Sequence, residues 1–510
     1  MTEVQVPLVD EEASWRRLHV RMLLIHPIRE LLRSWYVLVG LIFVGSRSVA
    51  DGRLWGLLGV VMVIGLALAR WFTTTYRVSA EQVQVRRGLL RKEVLTVPRD
   101  RVRTVDVTAS PLHRLLQLTR VTIGTGRSDR RDDGLKLDGV TTEDAQRLRT
   151  ELLHRAPVAA PEPSAESAAE PAAPAPETVL AQLRPAWLRY GPFSLSGLVI
   201  VAVVLGTLSR LVNEAQVQLS GVGPAEHAVD RLLHTSLLLL VPLVLAVFGV
   251  VVAVTSTAAY LVAFWGFRLS RQPAGTLHIV RGLLTSRSIT IEERRLRGVE
   301  LSEPLLLRLA AGARCIAIAT GLRVGRGAER GGSLLLPPAP KTEAVRVAGA
   351  VLRDAAAVTA ELTRHGPRAR RRRYTRALLT TAVVPVALVL LWWLAGWPAW
   401  PIPVSLILLV LAVPLAEDRY RALGHTLSGQ FFVTREGSLV RRRNMLAREG
   451  IIGWNLRQSF FQRRAGVITV EATTAAGRQR YAAEDVPADL AVLLADRAVP
   501  DLLAPFLVRR

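Results

Sequence analysis

Six long apolar stretches, arriving in three pairs, constrain this chain more than anything else in its sequence. A bilayer core of about 30 Å is crossed by roughly 20 apolar residues in helical form. The cleanest stretch is 54–72 (LWGLLGVVMVIGLALARWF), preceded by 35–50, which is broken only near its end by Arg47. A long basic side chain there can snorkel to the interface, so the segment still spans. A third stretch covers 193–210, and a fourth, 235–267, carries no charge over more residues than one crossing needs. The fifth and sixth lie between 377 and 416, parted by the turn from Gly396 to Pro401. Six transmembrane helices are expected, with tryptophans such as Trp35, Trp71, Trp265 and Trp397 near their ends, where amphipathic rings settle.

Charge orients the pairs. Within each pair the connecting loop is short or weakly charged, whereas the outer flanks are basic: Arg16, Arg17, Arg21, Arg29 and Arg33 precede the first pair, and a run from Arg368 to Arg376 precedes the third. The positive-inside rule then places the N-terminus and every segment between pairs in the cytoplasm. The acidic opening residues 1–12 lack a secretory pattern, so the first stretch is expected to stay as an anchor. The net charge of +24 in 510 residues suits anionic lipid better than nucleic acid, given the membrane segments. A single cysteine, Cys315, excludes an intrachain disulfide. Residues 157–176 (PVAAPEPSAESAAEPAAPAP) have almost nothing to bury and read as a flexible linker.

Each pair is followed by a similar soluble sequence. Tyr76-Arg77-Val78-Ser79 parallels Phe267-Arg268-Leu269-Ser270 and His425-Thr426-Leu427-Ser428. Arg87-Gly88-Leu89-Leu90 parallels Arg281-Gly282-Leu283-Leu284 and, more loosely, Glu436-Gly437-Ser438-Leu439. Arg101-Val102-Arg103 matches Arg295-Leu296-Arg297, and Ser110-Pro111-Leu112 matches Glu303-Pro304-Leu305, while the third copy lacks the proline. Alternation at Val83/Val85, Val121/Ile123, Ile316/Ile318 and Ile468/Val470 predicts half-buried antiparallel strands. Helices are expected over 142–153, 341–352 and 487–496, each closing one copy as the plug of a small curled sheet.

These motifs resemble the bacterial PH-like domain called bPH2 (DUF304, the membrane-flanked domain), in the triple arrangement of YdbT-like membrane proteins. The resemblance implies a multi-pass α-helical membrane protein with three small cytoplasmic α+β domains, each a PH-like partly open β-barrel capped by a C-terminal helix. The expected layout is a basic, amphipathic cytoplasmic segment (1–34), helix pair 1 (35–72), domain 1 (73–156), linker and flank (157–184), helix pair 2 (185–266), domain 2 (267–362), an Arg-rich flank (363–376), helix pair 3 (377–416) and domain 3 (417–510). The resemblance also implies a smaller, single-unit YdbS-like membrane protein as partner, and a location in the bacterial cytoplasmic membrane. It carries no catalytic residues, and fold alone licenses no ligand.

Chemistry-bearing patterns are sparse. The nine histidines are dispersed and Cys315 has no CxxC partner, so neither a metal site nor a cofactor is expected. There is no GxSxG elbow, and no acid sits centrally in an apolar stretch, which disfavours serine hydrolysis and proton-coupled transport. Arginines do cluster at the equivalent hairpin of two copies: Arg127, Arg130 and Arg131, then Arg323, Arg326 and Arg330. With Arg370, Arg371, Arg372 and Arg373 of the third flank, they are the candidate contacts for anionic lipid headgroups. The flanks 15–33 and 184–190 mix Arg with Trp, Leu and Tyr, as an interfacial segment or a plain basic flank would. Two functions fit: a non-catalytic membrane scaffold or complex subunit, for which the resemblance implies a part in envelope stress or antimicrobial protection, or a lipid-headgroup-handling protein. Nucleic acid is not an expected partner.

Overall fold

The computed structural model describes residues 15–23, 25, 61, 65, 68–69, 72–79, 81–88, 92–99, 102, 104–124, 135–153, 177–194, 196–214, 237–273, 275–322, 333–500 and 502. Most of the expected first helix pair, the linker, and both arginine hairpins (Arg127, Arg130, Arg131 and Arg323, Arg326, Arg330) lie outside the described residues. By internal contacts the chain divides into two units, 1–178 with 270–295, and 179–269 with 296–510.

The first unit opens with β1 (Arg16–Arg17), then β2 (Thr75–Val78), β3 (Gln82–Arg87) and β4 (Glu93–Pro98), an antiparallel sheet in the order β1-β2-β3-β4. It continues with β5 (Thr104–Ala109), the short helix α1 (Pro111–Leu115), β6 (Leu118–Gly124), β7 (Leu135–Thr141) and the terminal helix α2 (Thr142–Leu153). Val83, Val85 and Val97 face Val105, Val121 and Ile123 in one core, plugged by Ala145, Leu148 and Leu152 of α2. The period-two alternation of the strands puts these residues on one face.

Leu18, Met22 and Ile25 belong to the same core, and an added Cβ on Gly139 would sit 2.9 Å from Met22 Cγ. The stretch 15–25 is therefore part of the first β-domain, not a separate amphipathic flank. Its apolar residues recur at helical spacing, which a sequence cannot assign to lipid or to protein.

In the second unit, β8 (Thr178–Gln182) leads to a 3-10 segment, Pro185–Ser194, then the helices α3 (Ser196–Glu214) and α4 (Leu237–Phe264). Trp187 and Tyr190 are buried, and a Cβ on Gly191 would lie 2.8 Å from Thr257 Cα, so this flank also packs on protein. After α4 the strands β9 (Arg268–Gln272), β10 (Thr276–Arg281) and β11 (Ser286–Glu292) follow, and all but the first two residues of β9 fall in the first unit. The second unit resumes with β12 (Leu296–Pro304), α5 (Leu305–Leu309), β13 (Gly312–Ala319), β14 (Leu334–Pro340), α6 (Lys341–Leu352) and α7 (Ala355–Thr359). Next come the long helices α8 (Gly366–Ala395) and α9 (Pro401–Ala422). The third copy then runs β15 (Gly424–Ser428), β16 (Phe431–Glu436), β17 (Val440–Ala447), β18 (Gly453–Arg457), α10 (Phe460–Ala465), β19 (Val467–Thr473), β20 (Arg480–Pro487) and α11 (Ala488–Ala498).

Among the described residues, three helices are long and apolar enough to cross a membrane: Pro242–Phe264, Gly366–Ala395 and Pro401–Ala422. A fourth results if the bent pair Pro185–Ser194 and Val199–Thr207 is one span. Their surfaces are largely uncovered Leu and Val, as at Leu379, Val383, Val410 and Leu411.

Three copies of one element order are thus present: three strands, a fourth, a short helix, two strands and a closing helix. The sheets, however, do not respect the copies. β5 of the first copy pairs antiparallel with β11 of the second, and β12 of the second pairs with β17 of the third. The two junctions share one register. Arg287 lies opposite Thr108 in the first, and Arg442 lies opposite Ser302 in the second. In each, that arginine reaches diagonally to an acid on the fourth strand: Arg287 to Asp106 at 2.7 Å, and Arg442 to Glu300 at 3.3 Å. Arg478 adds to the second junction, 3.2 Å from Glu300 and 3.4 Å from Glu436.

The hairpin between the second and third strands turns on a glycine in every copy, Gly88, Gly282 and Gly437, all at positive φ. A side chain cannot replace them cheaply: a Cβ on Gly282 would lie 2.1 Å from Thr285 O, and one on Gly437 the same distance from Val440 O.

Candidate functional site

A buried polar cluster joins the start of α8 to the third copy. The basic run was expected to face lipid headgroups. Arg372 and Arg373 instead point into protein. Arg373, 2% exposed, sits 2.6 Å from Asp485, which is fully buried, and 2.7 Å from Glu484. Arg372 also pairs with Asp485, which in turn accepts a hydrogen bond from Gln462 Nε2 at 3.0 Å. Buried charges persist only when paired, which explains two arginines on one aspartate. Asp485 holds a left-handed backbone, φ +60, at the irregular pairing of β19 with β20.

Beside this cluster lie two buried histidines. His365 Nδ1 is 2.6 Å from Glu484 O, and His425 Nδ1 is 2.8 Å from His365 Nε2. A carbonyl can only accept, so His365 carries its proton on Nδ1 and receives one from His425. Burial lowers the pKa of both, and His425, also facing His365, falls to about 4. A neutral pair is the state this pocket holds.

Arg370 and Arg371 are different. Both are exposed; Arg370 bonds Glu417 at 3.1 Å and lies over the Tyr374 and Tyr420 rings. Of the ten candidate lipid contacts, these two alone are both described and outward-facing.

One constellation was invisible in the sequence because its members lie 25 residues apart. Ser110 Oγ is 2.5 Å from His113 Nδ1, and His113 Nε2 is 3.1 Å from Asp138. Arg120 completes it, 2.5 Å from Asp138. Burial pushes the Asp138 carboxyl up, but hydrogen bonds from His113 and Arg120 outweigh it and hold the group well below the usual carboxylate range. The Ser110 hydroxyl is also the N-cap of α1, accepting from His113 N. His113 is buried and the pattern does not recur at Pro304 or Ser459; the cluster ties α1 to β7. No group of three or more potential metal ligands occurs among the described residues.

With the strand order, the closing helices and the apolar helices established, comparison with known families becomes decisive. The family described as the bacterial PH domain matches residues 35–156 and 377–498. Both stretches are bacterial PH-like domains. The two matches are the first and third copies, each taken with its preceding apolar pair. The middle copy of this PH-like protein is matched by structure within the chain, through the shared element order. No curated protein and no solved structure matches the chain.

In all three copies of the PH-like protein, the segment before the apolar pair meets the segment after it. Arg16 pairs with Tyr76, Leu183 N donates to Phe267 O at 2.9 Å, and Thr363 bridges His425.

Proposed function

We propose that this PH-like protein is a non-catalytic membrane scaffold or complex subunit, presenting three PH-like modules on the cytoplasmic side of a bacterial membrane. The observation that carries the reading is the pair of strand junctions. The modules already use their sheet edges to hold another module, twice, in one register. Backbone pairing of this kind is a general means of recognising protein. Two of the arginines at the start of α8, Arg372 and Arg373, are committed to holding the third module against its helix pair.

Topology supports the same reading. A segment can pair with one that follows an apolar stretch only if the chain returns to the same side between them. The contacts Arg16 to Tyr76, Leu183 to Phe267 and Thr363 to His425 therefore favour an even number of crossings in each interval. With the basic flanks, that gives a multi-pass protein of three hairpins and a cytoplasmic N-terminus. A smaller single-unit membrane protein of the YdbS-like type is the fitting partner, and protection of the envelope under stress or antimicrobial attack the fitting process.

Purification of the full chain in mild detergent, with co-purified proteins and lipids both identified, tests the reading. A membrane protein recovered at fixed stoichiometry supports the scaffold. Tightly held anionic lipid with no protein partner would replace it with the headgroup-handling alternative, for which the exposed Arg370 and Arg371 are the available contacts.

A further inference from the structure

The two internal junctions leave one half-junction at each end of the series. β4 is the terminal strand of its sheet, and β18 is the terminal strand of the sheet β18-β19-β20. Yet β4 occupies the place of β11 and β17, the strands that receive a neighbour, and β18 the place of β5 and β12, the strands that donate one. We infer that β18 of one chain pairs with β4 of a second copy, forming between chains the junction that the chain forms twice within itself. The inference extends the scaffold reading but rests on the edge chemistry, not on the identity of any other partner.

The equivalences are fixed by landmarks. The hairpin glycines Gly88, Gly282 and Gly437 align the receiving strands. The short-helix N-caps Ser110, Pro304 and Ser459 align the donating strands, as do the positive-φ residues Gln117, Ala311 and Gly466 that follow those helices. In this frame Glu93 stands where Arg287 and Arg442 stand, and Arg457 stands where Thr108 and Ser302 stand. The register of the internal junctions would set Glu93 directly opposite Arg457. Directly opposed residues bring their Cβ atoms within about 5 Å, and opposite charges there are favourable.

The charges are also reversed relative to the interior. Internal junctions place arginine on the receiving strand and acid on the donating one. At the ends the receiving strand carries Glu93 and the donating strand carries Arg457, with neutral Asn455 at the position of Asp106 and Glu300. A terminal edge inserted into an internal junction would oppose like charges, whereas the two terminal edges suit each other. That is how related pairing surfaces are kept apart.

A second contact repeats. In the first junction Arg114 of α1 donates to Leu283 O, on the hairpin of the next copy; in the second, Arg308 of α5 donates to Ser438 O at 3.2 Å. The equivalent residue in α10 is Arg463, which is exposed and whose side chain meets no hydrogen-bond partner among the described residues. The aligned position on the receiving side, Leu89, lies outside the described residues. Arg457 itself is 70% exposed and only 3.8 Å from Glu471, so it is free to turn outward. An open strand edge is ordinarily blunted or covered. Such an interface is head-to-tail and heterologous, so copies assemble into a ring or a filament.

The test uses the full-length protein in membranes. One chain carries Glu93→Cys and a differently tagged chain carries Arg457→Cys, and they are co-expressed and mildly oxidised. A mixed disulfide is expected, with little from Val94→Cys and Arg457→Cys, because one residue of slip turns the side chain to the other face. In the native-cysteine background, Glu93→Arg should reduce co-purification of differently tagged copies at least about threefold. Glu93→Arg combined with Arg457→Glu should restore it. Both sites are exposed, and rescue by the double change separates lost association from a fold weakened where Glu93 faces Arg87 on β3. Mixed disulfide at the level of the mis-registered control, or loss of association without rescue, would overturn the inference. So would an internal disulfide formed only within the doubly substituted chain, or disulfide to a different, smaller protein. None of these failures would remove the scaffold reading, which stands on a co-purified partner.

Discussion

Replacing Arg373 by methionine should destabilise the third PH-like copy more than any other single change near the membrane. Methionine keeps much of the side-chain volume but removes the charge. Asp485, fully buried, would retain only Arg372 and Gln462, and Glu484 would lose its 2.7 Å partner. Breaking one member of a buried ion pair costs about 3–5 kcal/mol. Asp485→Asn is the complementary change. Asparagine accepts the left-handed backbone at φ +60 and can still accept from Gln462. It should cost less, because Arg373 keeps Glu484. The double variant should fall short of the sum by about 1–3 kcal/mol, the coupling of residues in one network. The measurement is urea unfolding of the detergent-solubilised full chain, read by pulse proteolysis within 424–498. Additivity within about 0.5 kcal/mol, or a loss below about 1 kcal/mol for Arg373→Met, would refute the coupling of α8 to the third copy.

Acid should loosen the same region. His365 and His425 are held neutral, with His425 lowered to about 4. The unfolded chain gains protons first, so stability is full above about pH 6.5 and declines toward pH 4, by about 3 kcal/mol for His425 alone. A flat unfolding midpoint across that window would contradict the buried pair. Gly298→Ala should weaken the β12·β17 junction by about 2 kcal/mol, because its Cβ would lie 2.0 Å from the Met445 carbonyl oxygen; an unchanged melting temperature would speak against the register. For sidedness, Arg371→Cys is the useful probe, since Arg371 is exposed. It should escape an impermeant thiol reagent in intact cells and react once they are opened. Native Cys315, buried and with its thiol pushed up by burial, should stay silent in both conditions.

Much of the architecture was legible. Alternation at Val83/Val85 and Val121/Ile123 located real strands, the glycine motif marked real hairpins, and helices closing the copies stand at Thr142–Leu153, Lys341–Leu352 and Ala488–Ala498. What the sequence could not carry was the partner of each apolar or charged group. Met22 and Tyr190 fell in flanks that read as interfacial segments or plain basic flanks, because burial against lipid and burial against protein leave the same pattern. Arg372 and Arg373 read as flanking charge because Asp485, more than a hundred residues later, announces nothing locally. The Ser110–His113–Asp138 cluster was hidden for the same reason. Strand pairing between copies also has no local signature: β5 and β11 are ordinary half-polar strands whose edges could meet any neighbour.

The linker at 157–176 looks like the obvious place to cut the chain, yet β9, β10 and β11, which complete the first unit, are encoded after it. What was duplicated and what folds together are out of phase by half a copy, as bricks are in a running bond. A protease nick in the linker would leave its two products clasped through β5 and β11. A truncation made at a copy boundary, by contrast, would strip a strand from the middle of a sheet. Expression of single copies, the natural instinct with a tandem protein, would therefore yield pieces with a raw edge.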